Sequence, residues 1–377
     1  MFSPCQNEFC LKKIVTSPRL FSETGLFYNL EEQDFISCCL GAKTFFLLMK
    51  FKHPLKMASK RLARMLVFTM ALVCFLCLYA KLGTFEICIF CETKHEFFPF
   101  KRDGRFLRRP HMNCRRNPPF LVILVTSSHK QSKARMAIRE TWGRERKIDN
   151  KRIVTYFLLG STLTDVDQRA IDDENKKHRD IIQKDFLDSY YNLTLKTIMG
   201  LEWIHKFCPQ TSFVMKTDSD MFVNTYYLTE LLLQKNKKVS FFTGFLKENE
   251  HPIRKLISKW YVSEEEYSGN LYPPFCSGTG YVLSADVASS VYKIAKEVPY
   301  FKLEDVFVGM CLAKLNIKLE ELHSEQTFFP EGLVFSACRF RKIVTSHFVR
   351  PHENLIYWEA LERSLDENCH PGTYPGG

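Results

Sequence analysis

The sequence predicts an α/β domain with a largely parallel sheet, set behind a single membrane-spanning helix. Three observations carry that prediction. From residue 120 onward, apolar runs of strand length alternate with stretches of helical periodicity. One such strand, in residues 213–224 (FVMKTDSDMFVN), runs straight into the acidic triplet Asp218-Ser219-Asp220. Residues 65–80 (MLVFTMALVCFLCLYA) form an uncharged block bounded by Arg64 and Lys81.

The uncharged block comes first in the chain. At about 1.5 Å rise per residue it is short for a bilayer span, so Leu62, Ala63 and residues 82–85 extend it while Arg64 and Lys81 snorkel. A short span suits a thin, early secretory membrane. Lys50, Lys52, Lys56, Lys60, Arg61 and Arg64 precede it, and Lys81 and Lys94 are the nearby bases after it, which places the amino terminus in the cytosol. No small-x-small cleavage site follows, so an uncleaved signal anchor is favoured over a cleaved signal peptide. The chain is thereby divided into a cytosolic segment 1–64, a span 65–85, a lumenal stem 86–118 ending at Asn117-Pro118-Pro119, and a folded domain 119–377. Met57 opens a compact basic tail of its own, which marks residues 1–56 as a candidate alternative start.

The formal charge of +11 sits largely in two patches, 50–64 and 101–116, rather than across a folded face, and this argues against nucleic acid as a partner. Of 14 cysteines, Cys114, Cys208, Cys276, Cys311, Cys338 and Cys369 fall in the folded part, on the lumenal side. An oxidising lumen permits up to three bridges among them, and their wide spacings do not resemble a zinc site. Asn192-Leu193-Thr194 is a glycosylation sequon with the required topology.

Within the folded domain, residues 120–126 (FLVILVT) read as a buried strand. Ser127-Ser128 then cap a helix running to Trp142, with Arg135 and Arg139 on one face. A second strand, 153–159, ends at Gly160 and is followed by an acidic, polar segment, 165–180. Residues 185–196 lead into a helix striped with Ile198, Leu201, Ile204 and Cys208, and the strand bearing the acidic triplet comes next. The second half holds a turn at Tyr272-Pro273-Pro274-Phe275 and a small-residue loop at 276–280 (CSGTG), fit for close backbone approach to a ligand. A strand at 281–283, a helix near 286–297, a second acidic pair, Glu304-Asp305, opening a helix, and a late His347 complete it.

In a parallel sheet, ligands sit at the carboxyl ends of strands, where both Thr126-Ser127 and Asp218–Asp220 lie. Two carboxylates separated by one small residue offer hard oxygen ligands to Mn²⁺ or Mg²⁺. On this reading Asp220, with Asp218, holds a metal; His347 completes its protein ligands; and Asp305, beside Glu304, is the base. Each feature also has an ordinary reading. The triplet can be an acidic turn, Glu304 and Asp305 plain helix-opening acids, the arginines a solvated face, and His347 a buried polar residue.

Five motifs in order, 135–143 (RMAIRETWG), 185–196 (DFLDSYYNLTLK), 216–220 (KTDSD), 276–281 (CSGTGY) and 304–309 (EDVFVG), resemble the β-1,3-galactosyltransferase family over roughly residues 57–370. The resemblance implies a Golgi type II membrane enzyme with a GT-A-like catalytic domain, a Rossmann-like nucleotide-binding half joined to an acceptor-binding half. It implies UDP-galactose as donor and Mn²⁺ as cofactor, with galactose joined β1,3 to a terminal N-acetylglucosamine on a glycoprotein or glycolipid glycan. An α-linked donor and a β-linked product imply inversion in one displacement. Carried onto this chain, Asp218-Ser219-Asp220 is the metal motif, with Asp220 the direct ligand, and Asp305 of Glu304-Asp305-Val306 is the general base. Thr126, Ser127, Arg135 and Arg139 are expected beside the UDP, and Ser346 stands where the family leads one to expect Cys. A β-1,3-N-acetylglucosaminyltransferase, or a non-catalytic lectin or chaperone on the same fold, is the alternative.

Overall fold

A computed structural model describes residue 65 and residues 67–72, 104–112, 114–162 and 164–365. The chain divides into two compact units, Met1–Phe97 and Phe98–Gly377. In the first, residues 65 and 67–72 are helical and exposed, and they belong to the amino-terminal part of the expected span. Among the described residues no helix is long and apolar enough to cross a membrane. The remainder of that span, the whole segment 1–64 and Cys369 lie outside the described residues.

The second unit carries β1 (Phe106–Arg108), β2 (Leu121–Thr126), α1 (Ser132–Glu140), β3 (Arg146–Ile148), β4 (Lys151–Ser161), α2 (Asp165–His178), β5 (Ile181–Leu187), α3 (Leu193–Phe207), β6 (Phe213–Asp218), β7 (Phe222–Val223) and α4 (Thr225–Lys235). There follow β8 (Phe242–Lys247), β9 (Phe275–Ser284), α5 (Ala285–Ile294), α6 (Glu304–Lys314), β10 (Phe328–Phe329), α7 (Ala337–Phe340), β11 (Thr345–Ser346) and α8 (Pro351–Ser364). The main sheet has the order β1-β5-β4-β2-β6-β9-β8, with β3 pairing β4. Its centre, β5-β4-β2-β6, is parallel as the strand-helix alternation predicts. The flanks differ: β9 runs antiparallel to β6 and to β8, and β1 antiparallel to β5.

Every residue of β2 is buried, because both faces of the sheet are covered. Leu121, Ile123 and Val125 point into a core with Ile138 of α1, Leu228 of α4, and Trp358 and Leu361 of α8. Val122 and Leu124 point the other way, into a core with Ile198, Leu201 and Trp203 of α3, Val291 of α5 and Phe307 of α6. At about 1.5–3 kcal/mol for each fully buried large apolar side chain, these two layers are the main source of stability.

Three expectations are corrected here. The polar segment 165–180 is mostly a helix, α2, capped by Thr164, whose side chain accepts from Asp167 N–H; its apolar content was too low to read, since Ile171 is the residue it buries. The small-residue loop at 276–280 is strand, the first half of β9, with Gly280 opposite Thr217 of β6. The stem does not run to 118: β1 pairs with β5, and a disulfide joins Cys114 to Cys208 across a Cα–Cα distance of 5.2 Å. Of the other cysteines of the folded part, Cys338 is disulfide-bonded, while Cys276 and Cys311 are free thiols in the interior, so these two do not form the third of the bridges the sequence permitted.

Candidate functional site

Strand β6 delivers the acidic triplet, and its own fourth residue organises what surrounds it. Lys216 is 1% exposed, and a cation in that position demands partners. Its Nζ donates to Asp218 Oδ1 at 2.8 Å and to the Gly278 carbonyl at 2.5 Å, and lies 3.3 Å from Glu304 Oε2. Burial works against its charge, but Asp218 and Glu304 outweigh it and hold the ammonium protonated, its pKa raised. Asp218 Oδ1 accepts a second bond, from Thr126 Oγ1 at 2.5 Å, across the register in which Thr126 faces Asp218 in the parallel β2-β6 pair.

The antiparallel β9 brings the second acidic pair to the same place. Gly278 N–H donates to Asp305 Oδ2 at 3.1 Å and Val306 N–H to Asp305 Oδ1 at 2.9 Å, so both carboxylate oxygens are fixed at the opening turn of α6. A side chain at Gly278 would be tight there: an added Cβ would lie 3.2 Å from Glu304 Oε2 and 3.4 Å from Asp305 Oδ2. Glu304 is buried and accepts from Tyr281 Oη at 2.6 Å. Burial pushes the pKa of both Glu304 and Asp305 up, against the pull of Lys216 on the first and of two backbone N–H groups on the second. The two acids have different surroundings. Glu304 is enclosed by Lys216 and Tyr281, whereas Asp305 is part-exposed and senses the half-exposed Tyr190, which is itself bonded to Trp260. Asp305 therefore has the accessibility and the raised proton affinity of a base, and Glu304 is a partner of Lys216.

His347 is brought in by the small sheet. Strand β7, just after the triplet, pairs antiparallel with β11, Phe222 opposite Ser346, and β11 pairs with β10. Val349 N–H then donates to the Asp220 carbonyl at 2.9 Å. His347 Nε2 comes to 3.3 Å from Asp220 Oδ2, and its Nδ1 to 2.8 Å from the Pro330 carbonyl. With Nδ1–H given to that carbonyl, Nε2 carries a lone pair and faces a carboxylate oxygen. A proton on Nε2 or a bound cation resolves that arrangement. Burial lowers the proton affinity of His347, but Asp220 and Pro330 outweigh it and raise the pKa, while Asp220 is held below its usual value despite its own burial. The loop itself is pinned from behind: Trp142 Nε1–H donates to Asn354 Oδ1 at 3.1 Å, and Asn354 Nδ2–H to the Met221 carbonyl at 3.1 Å.

Asp220, His347, Asp305 and Asp218 are thus gathered at the carboxyl end of β6. Four carboxylates, Asp218, Asp220, Glu304 and Asp305, meet one ammonium and one imidazole, an excess of negative charge that a divalent cation would offset. The predicted three-ligand set is narrower in the structure. Asp220 and His347 present oxygen and nitrogen donors together, whereas Asp218 is turned to Lys216 and Thr126, and among the described residues no cluster of three or more His, Cys, Asp or Glu side chains forms a metal site. Ser219 between them is buried.

The arginines are a correction. Arg135 is 0% exposed and donates to both oxygens of Glu174, at 2.8 and 2.6 Å, to Ser127 Oγ at 3.0 Å and to the Ser128 carbonyl at 2.5 Å. Arg139 grips Asp180 with two bonds, at 2.7 and 2.9 Å, and reaches Glu174 at 2.7 Å. Their charge is satisfied by Glu174 of the unread α2 and by Asp180 just beyond its end, so they hold the end of β2 in place instead of facing a diphosphate. Ser127 and Thr126 are buried, and the Ser127 carbonyl accepts from Lys196 Nζ at 2.6 Å, which also binds Asp188 at 2.7 Å. Lys216, Tyr281 and Lys196 are the residues that sequence reasoning left without a role. The available signal was a lone cation inside an apolar strand or helix. The sequon opens α3: Asn192 is part-exposed, its amide donating to the Leu187 carbonyl at 2.8 Å, and Thr194 is buried with its hydroxyl on the Phe301 carbonyl.

Residues 133–323 match the Galactosyltransferase family model. The chain is also 60% identical over 299 residues to "Beta-1,3-galactosyltransferase 5" of Homo sapiens, covering 79% of this chain and 96% of that protein. The chain belongs to the galactosyltransferase family. It is an enzyme of that family rather than a lectin on the same fold. The mouse (Mus musculus) protein of the same name is 57% identical over 294 residues, covering 78% of this chain and 93% of that protein. Among solved structures, "WbbM bifunctional glycosytransferase apo structure" aligns with a TM-score of 0.35 and 13% identity, covering 66% of this chain and 50% of that one, a likeness too slight to build on.

Proposed function

We propose that this galactosyltransferase moves galactose from UDP-galactose to the 3-hydroxyl of a terminal N-acetylglucosamine on a glycoprotein or glycolipid glycan, with inversion to a β1,3 linkage. The observation that carries the reading is Asp305: a part-exposed carboxylate, fixed by two backbone N–H groups, with its proton affinity raised by burial, beside the excess negative charge at the end of β6. Asp305 takes the proton of the acceptor hydroxyl as that oxygen attacks the anomeric carbon. The bond to the UDP oxygen breaks with its electron pair going to the diphosphate, and no covalent enzyme intermediate forms.

The donor set of Asp220 and His347 fits a divalent cation such as Mn²⁺, which these two residues would hold beside the diphosphate. Bound there, the cation supplies neutralisation of the departing diphosphate. Lys216 keeps Asp218, Glu304 and the Gly278 backbone in register, so that Asp305 is presented in one position. The resemblance in sequence also supports a Golgi membrane setting, with the catalytic unit in the lumen behind a type II anchor.

The test uses the purified full-length chain with Mn²⁺ and each UDP-sugar in turn, against a terminal β-N-acetylglucosamine acceptor, with linkage analysis of the product. β1,3-linked galactose is expected. Transfer of N-acetylglucosamine instead would overturn the donor assignment, and transfer undiminished by chelation of divalent cations would overturn the role of Asp220 and His347.

A further inference from the structure

At the opposite end of the sheet from Asp305, where β4 begins and α2 ends, lies a cleft of 1190 Å³. None of the reactive-end residues lines it. Both carboxylates in its wall are already held by arginines, Asp180 by Arg139 and Glu145 by Arg152. Arg109, Arg144 and Arg179 also line it, and among the described residues none of the three has a carboxylate partner. Arg109 rests its guanidinium 4.4 Å from the Phe207 ring centre, which leaves its N–H edges free, and Arg179 takes a left-handed conformation, φ 56°, as α2 ends.

The floor carries a second, independent sign. Thr155 of β4 lines the cleft at 9% exposure, and its hydroxyl has no hydrogen-bond partner, a cost that buried polar groups rarely leave standing. Phe106 and Tyr156 also line the cleft.

We propose that this cleft binds an acidic oligosaccharide, Arg109, Arg144 and Arg179 receiving its sulfate or carboxylate groups and the Thr155 floor receiving a sugar hydroxyl. Guanidinium forks match planar and tetrahedral oxyanions with paired bonds. Aromatic and aliphatic walls suit the C–H faces of sugar rings. The volume exceeds the roughly 300–1,000 Å³ typical of small-molecule sites, so a short chain of rings fits better than a single anion. The site stands apart from the proposed transfer chemistry and is tested without it.

The experiment titrates a fluorescent, heparin-type sulfated tetrasaccharide into the full-length chain in detergent, reading polarisation, with sialylated and fully desulfated oligosaccharides as parallel arms. Saturable binding that weakens as salt rises is expected. The combined substitution R109E/R144E/R179E should weaken it by about tenfold or more, while transfer to an uncharged acceptor stays within about twofold. Thr155→Val, nearly the same shape, should weaken binding about threefold with unchanged thermal unfolding. Tighter binding of either the sulfated or the sialylated arm supports the proposal and identifies the anion. Equal affinity of the triple variant, equal affinity of the desulfated probe, unchanged affinity in Thr155→Val, or binding seen with anionic phospholipid vesicles alone would each overturn it.

Discussion

Two charge networks flank the ends of β2 and β6, and they are built to opposite specifications. Around Arg135 every strong donor has its acceptor: two arginines, Glu174 and Asp180 close on each other with five bonds, and Ser127 Oγ accepts another. Around Lys216 one ammonium serves Asp218, Glu304 and a carbonyl, while Asp305 and Asp220 keep open faces. The first network is saturated and therefore architectural. The second is left short of positive charge, which is the condition for accepting a cation, a diphosphate and a proton. Perturbed acids alone do not separate chemistry from scaffolding; accessibility and unmet charge do.

The largest effect that would sharpen this contrast is on turnover. Asp305→Asn keeps shape but can accept from only one of the Gly278 and Val306 amides, since its NH2 group faces the other, so kcat should fall by about 10²–10⁴-fold, the usual contribution of a general base, with a small drop in the thermal midpoint. Near-normal turnover of the purified variant would move the base elsewhere. Next comes Arg135→Met, which strands Glu174 without its main partner. A loss of about 3–5 kcal/mol in denaturant unfolding is expected. If stability holds and the donor KM rises instead, Arg135 belongs with the nucleotide after all.

A pH profile tests the same divide at the level of one carboxylate. A base works deprotonated, and burial raises the Asp305 pKa, so it takes up its proton at a higher pH than an ordinary aspartate, near about 3.9. The acid limb of kcat/KM should therefore lie above that value, activity falling as pH drops through it. A limb at or below it would detach Asp305 from the rate. The smallest effect concerns α2. Thr164→Ala removes the cap bond from Asp167 N–H at 3.2 Å and should cost about 1 kcal/mol of stability, while transfer measured at saturating donor and acceptor stays unchanged, because α2 supports the arginine network alone.

Much of this was legible in the chain. The runs at 120–126, 153–159 and 213–218 became β2, β4 and β6 because strands covered on both faces must be apolar throughout. The helices α3 and α6 were legible from an apolar stripe in the first and from opening acids in the second. What escaped was α2, whose outward faces are almost wholly polar, and the strand character of 276–280, where small residues read as a loop are instead a strand pressed against Glu304 and Asp305. The arginines were misassigned for one reason: their partners lie at sequence separations of 35 to 41, Glu174 on a helix that had not been recognised and Asp180 just beyond its end.

The sequence by itself determined the strand-helix alternation, the placement of Asp218–Asp220 at a strand's end, and the two acidic pairs that the fold brings to that end, since these depend on local pattern and on motifs read in order. The tertiary structure decided which acid is open and which is closed. Asp305 and Glu304 are neighbours in the chain with the same chemistry, yet Asp305 meets the Gly278 amide of β9 beside that of Val306 and keeps a path to solvent, whereas Glu304 is closed in by Tyr281 of β9 and Lys216 of β6. It likewise decided that His347, 127 positions from Asp220, meets it through the β7-β11 pairing. Charge is written in the residues, but its desolvation and pairing depend on distances that exist only once remote strands have been laid side by side.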